Sequence, residues 1–137
     1  EDMILAYTGS DPMAGIFSAL QSGYNSGDWN GAGLISSTAA DTSGTTLGYL
    51  DNSGGTFTSF DGNTVGDNVI IIKYTYDGDA NLDGKVDASD ETVVEVNIGM
   101  VNANWSQGDS NYDQQVTQDD LGLWSLGLSQ YNANGQL

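Results

Sequence analysis

Apolar positions in the first half of the chain come in short runs broken by Gly, Ser, Thr and Asn. Met3 to Tyr7 is continuously apolar, which predicts a buried strand. Asp11 followed by Pro12 predicts a helix start, with Asp11 as N-cap and Pro12 at the first helical position. That helix is expected to run about three turns to Tyr24, with Ile16, Phe17 and Leu20 on one face and Gly23 as its stop. Trp29-Asn30-Gly31 reads as a loop, Ser36 to Ala40 as a short helical turn and Thr46 to Leu50 as a strand. Thr56 to Phe60, the turn signal Asp61-Gly62-Asn63 and the run Asp67 to Tyr76 predict a strand pair. Within the last run Val69 to Ile72 is apolar at every position, and Tyr74 and Tyr76 then alternate with polar neighbours.

The pattern changes at Asp77. From there to Asp120 the chain holds nine aspartates and two glutamates, 11 of its 19 acids in under a third of its length. Residues 1–76 therefore read as a β-rich Gly/Ser/Thr/Asn module and residues 77–137 as a separate acidic unit. The last strand feeds straight into the acidic unit, so the two are expected to share a packed edge. The fold class expected is α+β: a small β-rich module with one or two short helices, then a pair of loop–helix units.

Asp79-Ala80-Asn81-Leu82-Asp83-Gly84-Lys85-Val86-Asp87-Ala88-Ser89-Asp90 places oxygen side chains at loop positions 1, 3, 5, 9 and 12, glycine at 6 and an aliphatic residue at 8. This is the calcium-loop pattern of EF-hands. Alternate side chains converge on a hard cation that wants six or seven oxygens, the backbone carbonyl of Lys85 serves at position 7, and Gly84 permits the left-handed turn. Val86 at position 8 is expected to pack inward and face its counterpart in a paired loop. Thirty residues on, the pattern recurs as Asp109-Ser110-Asn111-Tyr112-Asp113-Gln114-Gln115-Val116-Thr117-Gln118-Asp119-Asp120. The following helices align at the same offset, Val93 with Leu123, Val94 with Trp124 and Ile98 with Leu128, and Val93, Val94, Leu123, Trp124 and Leu128 are assigned to core packing. Gln114 stands where glycine is preferred, a cost of about 1 kcal/mol, so the second site is expected to be the weaker.

Composition narrows the chemistry. The chain has 137 residues, two lysines, no arginine, and a net charge of −17. Such a surface repels phosphate backbones and anionic membranes, and no guanidinium is present to grip a phosphate, so nucleic acid is excluded as a partner. No histidine or cysteine is present, which removes nitrogen- and sulfur-based zinc sites, cysteine nucleophiles and histidine triads. No apolar run approaches the roughly 18 residues of a membrane span. Glu1 at the start, rather than a methionine, is what processing or excision from a longer chain would leave. Asn104-Trp105-Ser106 matches a glycosylation sequon. Trp29, Trp105 and Tyr112 either meet a partner or sugar or belong to the core.

The strings "GDANLDGKVDASD" and "GDSNYDQQVTQDD" resemble paired dockerin type I repeats, each a calcium loop followed by one helix, over Asp79 to about Ser129. The resemblance implies two calcium sites. Asp79, Asn81, Asp83, Asp87 and Asp90 with the carbonyl of Lys85 would form the first, and Asp109, Asn111, Asp113, Thr117 and Asp120 with the carbonyl of Gln115 the second. The wider context, from "ILAYTG" through "GYNSGDWNGAGLISS" and "LGYLDN" to "KYTYDGDANLDG", is similar to the end region of large bacterial surface proteins, which implies a secreted or cell-surface location. Two departures argue against cohesin binding by the usual face: the longer segment between the repeats, containing Trp105, and unmatched residues at loop positions 10 and 11, Ala88-Ser89 and Gln118-Asp119.

The function expected is an extracellular, calcium-binding, non-catalytic interaction or assembly domain, with calcium required for folding. Its partner would be a protein, a cohesin-like domain or copies of itself. The alternative is a structural subunit of a calcium-stabilised filament or matrix, a homopolymer in which Asp2 to Tyr7 either completes its own sheet or adds to a neighbour's. No catalytic residues are assigned, because the carboxylates lie in calcium loops or glycine-rich turns rather than in an apolar pocket that would raise a general acid.

Overall fold

A computed structural model of the chain describes residues 2–137 and shows a mixed α+β protein. In chain order the elements are strand β1 (Met3–Ala6), helix α1 (Met13–Tyr24), helix α2 (Ser37–Asp41), strand β2 (Thr45–Asp51), strands β3 (Ser59–Phe60) and β4 (Asn63–Thr64), strand β5 (Val69–Tyr76), and helices α3 (Ala88–Asn97) and α4 (Gln118–Asn134). The main sheet has the order β1-β5-β2, antiparallel throughout.

β5 is the centre of this sheet because it is apolar on both faces, and Val69 to Ile72 are all buried. Its partners are β1, with Met3 opposite Ile72, and β2, with Thr45 opposite Tyr76 and Asp51 opposite Ile70. The expected pairing of Thr56–Phe60 with this strand does not form. Asp61-Gly62 instead closes a two-stranded hairpin, Ser59 opposite Thr64, and a strand with two apolar faces takes its neighbours from the longer β1 and β2. β1 completes the chain's own sheet at its edge.

α1 lays Ile16, Phe17, Leu20 and Tyr24 into the core, the face its periodicity predicts. Asp11 Oδ1 accepts the Met13 N–H at 2.8 Å, as a capping residue does, although the helix proper begins one residue after Pro12. Its stop is Asn25 in the left-handed region, φ 43°, and not Gly23. Gly23 serves packing: a Cβ there would lie 1.6 Å from the carbonyl oxygen of Leu34, where the following loop folds back on the helix. Ser36 caps α2 through a 3.1 Å bond from the Ala39 N–H.

The main core crosses the junction at Tyr76 and Asp77. Leu82, Trp105 and Tyr112 of the acidic part are buried in the same cluster as Leu20, Trp29, Tyr49 and the isoleucines of β5. Tyr112 lies at the middle of an aromatic group, its ring 5.2 Å from Tyr24, 5.8 Å from Trp29 and from Tyr49, and 6.1 Å from Trp105. A smaller cluster of Val94, Ala103 and Val116 lies beside it, where α3 and α4 pack together. The core assignment of the repeat helices holds fully for Val94. Val93, Leu123, Trp124 and Leu128 are half-buried, and Ile98 is exposed where α3 ends.

Candidate metal centre

Each acidic loop is organised by its first and last carboxylates. In the first loop Asp79 Oδ1 accepts the N–H of Asp83 at 3.1 Å and Oδ2 that of Gly84 at 2.9 Å. Asp90 reaches back from the first turn of α3 to accept the N–H groups of Ala80 at 3.1 Å and Asp87 at 3.0 Å. Asn81 Oδ1 accepts from Asp83 N–H, Asp83 Oδ1 from Lys85 N–H and Asp87 Oδ1 from Ser89 N–H, all within 2.8–2.9 Å. Asp87 and Asp90 thus form a capping box, so the loop's last ligand position is fixed by the start of the helix.

The second loop repeats this scheme bond for bond. Asp109 accepts from Asp113 at 3.2 Å and Gln114 at 2.9 Å, and Asp120 from Ser110 at 2.9 Å and Thr117 at 2.8 Å. Asn111 accepts from Asp113 at 3.0 Å, Asp113 from Gln115 at 2.8 Å, and the Thr117 hydroxyl from Asp119 at 3.2 Å. Gln114 takes the left-handed conformation of its glycine counterpart, φ 62° against 79° for Gly84, and the bonds on either side of it are kept. Its side chain points outward and is exposed. Val86 and Val116 at position 8 are both fully buried. The short β-bridge at the second loop joins Gln115 to Val101 in the segment after α3.

Residues between the ligand positions anchor the loops to the sheet. Leu82 and Tyr112, both at position 4, take positive φ of 59° and 63° and are driven into the core. The Tyr112 hydroxyl donates to the carbonyl of Leu47 in β2, and its own carbonyl accepts from Gln21 of α1 at 2.6 Å. Trp105 donates its indole N–H to the Asp79 carbonyl at 2.7 Å, and Trp124 to that of Asp87 at 3.1 Å. The chain's last residues lie on the first loop: Gln136 donates to the Asp83 carbonyl at 2.7 Å, and Leu137 N–H to the Gly84 carbonyl at 2.9 Å. A Cβ on Gly84 would meet the Leu137 oxygen at 2.1 Å, so glycine there answers to packing as well as to φ. Sequence reasoning missed these anchors. The signal for the first pair was a large apolar residue at position 4 of each otherwise polar loop.

The loops bury like charges together. Asp79, Asp90, Asp109 and Asp120 are at most 1% exposed. Burial raises the carboxyl of Asp79 to about 6, and the neighbouring charges of Asp90 and Asp83 add to it, while the Thr75 hydroxyl and Gly84 N–H oppose it. Burial raises Asp109 to about 7, with Asp120 and Asp113 adding. Asp90 and Asp120 are raised for the same first reason. Asp87, exposed, is lowered by the hydroxyl and N–H of Ser89.

All twelve ligand positions named from the sequence therefore fall in two matched loops. Among the described residues no three Asp, Glu, His or Cys groups converge closely enough to hold a metal ion by themselves. A complete shell in either loop would draw also on Asn81 or Asn111, the Thr117 hydroxyl, the carbonyls of Lys85 or Gln115, and water. Two buried like charges per loop, aligned by N–H donors, form a donor set that fits a hard divalent ion. No protein-family model, curated protein or solved structure matches the chain.

Proposed function

We propose that residues 77–137 form a dockerin-like pair of calcium loops and that the chain serves, outside the cell, as a non-catalytic interaction or assembly domain. One observation carries this reading: two loops thirty residues apart share the same hydrogen-bond scheme, each built around two buried carboxylates. Asp79, Asn81, Asp83, Asp87, Asp90 and the Lys85 carbonyl would hold one ion, and Asp109, Asn111, Asp113, Thr117, Asp120 and the Gln115 carbonyl the other. Calcium supplies charge neutralisation and a rigid node, bringing the net charge from −17 to −13.

Catalysis is not part of the proposal. The raised carboxylates belong to the loops, where bound cations would hold them ionised, which is the opposite of what a general acid needs. A protein partner, cohesin-like or a second copy of the chain, is the expected target of a module with this charge. The test is calorimetric titration with calcium together with melting in calcium and in excess chelator. Two binding events, the weaker at the second loop, and a large loss of thermal stability in chelator are expected. Absence of binding heat and an unchanged melting curve would overturn the reading.

Self-assembly is favoured by a different observation. Met3 and Ile35 are 44% and 54% exposed and line one groove with Leu34, Leu47 and Ile72 beside the edge strand β1. Light scattering separates the two: large particles in calcium that disperse in chelator mean a structural subunit, and a monomer in both means a docking module.

A further inference from the structure

A second candidate site lies between the end of α1, α2 and α4, in a pocket of about 470 Å³. Asp77 lines it, only 6% exposed, and its carboxylate accepts no hydrogen bond from the described residues. A buried carboxylate left in that state is costly unless a cation meets it. The other walls combine apolar and aromatic side chains, Tyr24, Trp29, Leu123 and Leu126, with the hydroxyl residues Ser26, Thr42, Ser43 and Thr45, and the carboxylates of Asp28 and Asp41 are exposed.

The chemistry of the walls selects the ligand. An anion is refused by three carboxylates. A metal ion needs six or seven oxygens drawn to one point, and the pocket's three carboxylates do not converge closely enough to hold one. An organic cation with an aliphatic stem fits both halves: the charge meets Asp77, and the stem lies on leucine and aromatic surface. The net charge of −17 draws such a group in.

We propose that this pocket binds a primary alkylammonium group, with the ammonium on Asp77 and its carbon stem along Tyr24, Leu123 and Leu126. A lysine side chain of a protein partner and a free aliphatic amine carry the same chemistry. The site uses none of the twelve loop positions, so it stands or falls apart from the calcium reading.

The test is an NMR titration of the whole chain in millimolar calcium with three probes: n-butylamine, n-butanol as its neutral match, and an Nα-acetyl-lysine amide. The reporters are the Ala39 and Ala40 amides and the indole N–H of Trp29, whose partner-free state distinguishes it from the bonded indoles of Trp105 and Trp124. Saturable shifts at these reporters with butylamine and the lysine amide are expected, with affinity about tenfold lower, or about 1.4 kcal/mol, for butanol and for Asp77→Asn. Binding of the lysine amide alone would mark a protein partner as the source. Equal binding of butylamine and butanol, no saturable shift, or an Asp77→Asn chain that keeps its Trp105 and Trp124 signals and titrates like the original would overturn the proposal. The butylamine–butanol comparison decides the matter on the unmodified chain if the variant fails to fold.

Discussion

The phenolic hydroxyl of Tyr112, in the second acidic loop, donates to the backbone carbonyl of Leu47 in β2, 65 residues away in the chain. The loop is thereby bolted to the sheet by a ring that is 1% exposed and sits among Tyr24, Trp29, Tyr49 and Trp105. Tyr112→Phe keeps the packing and leaves the Leu47 carbonyl without this donor, at a cost of about 1–2 kcal/mol. Tyr112→Ala removes the ring as well and is expected to cost about 3–5 kcal/mol. Urea denaturation in calcium measures both, and equal losses for the two variants would contradict the bolt.

Because the core is common to both parts, removing calcium is expected to melt the sheet together with the loops. At calcium a thousandfold above Kd each site adds about 4 kcal/mol, a large share of what holds a domain of this size. In chelator the near-ultraviolet signal of the packed tyrosines and the far-ultraviolet helix signal should be lost in one transition at a lower temperature. Two separated transitions would show that residues 1–76 stand alone.

Sequence pattern located most of the elements because each carries a local signal. The apolar run of β5, the Asp11-Pro12 start of α1 and the Ser36 cap of α2 all depend on near neighbours in the chain. The two matched loops were legible as repeats for the same reason, since their pattern is a local motif with a fixed spacing. What escaped depends on distant partners. The pairing of β5 with β1 and β2 in place of Thr56–Phe60 is a choice among edges that no single run encodes. The seating of Leu82, Trp105 and Tyr112 in the sheet's core joins residues tens of positions apart, and alternation within a polar loop gives no hint of direction. Gly48 is the same kind of case: in sequence it is a weak point in a strand, and in the fold it is where the first loop touches the sheet.

A Cβ on Gly48 would lie 2.5 Å from Leu82 Cδ2 and 2.8 Å from the Trp105 ring. Gly48→Val, favourable for a strand in isolation, is therefore expected to destabilise the protein by about 1–3 kcal/mol through overpacking, and by more if the loop cannot shift. A thermal melt in calcium checks it. A gain in stability would mean that the loop face yields freely.

Gln114 holds a left-handed backbone, φ 62°, at the position its counterpart fills with Gly84. Gln114→Gly relieves that strain, and since the side chain is exposed nothing is lost in packing. A gain of about 1 kcal/mol in stability is expected, set against the greater freedom of glycine in the unfolded chain. Calorimetry should show tighter binding at the weaker site. Gly84→Ala is expected to do the reverse and to release the chain end, because its Cβ would meet the Leu137 oxygen at 2.1 Å.

The raised carboxyls give the pH dependence a definite sign. Burial holds Asp79 at about 6, and Asp77 and Asp109 at about 7, against an unfolded value of 3.8, so between these limits the folded, calcium-free chain binds more protons than the unfolded one. Their contribution to stability is fully present below pH 3.8 and is lost as pH rises through about 6 to 7. In chelator the chain should melt at a higher temperature at pH 5 than at pH 8. If the loops hold calcium as proposed, the trend is expected to invert, because a cation held by the ionised ligands would compete with protons for Asp79 and Asp109. In calcium, stability should be higher at pH 8 than at pH 5, and the calcium-induced rise in Tm should grow with pH across the interval. Melting at the two pH values with and without calcium gives four numbers, and a calcium-induced rise that is the same at both would mean that these carboxylates do not hold the ion.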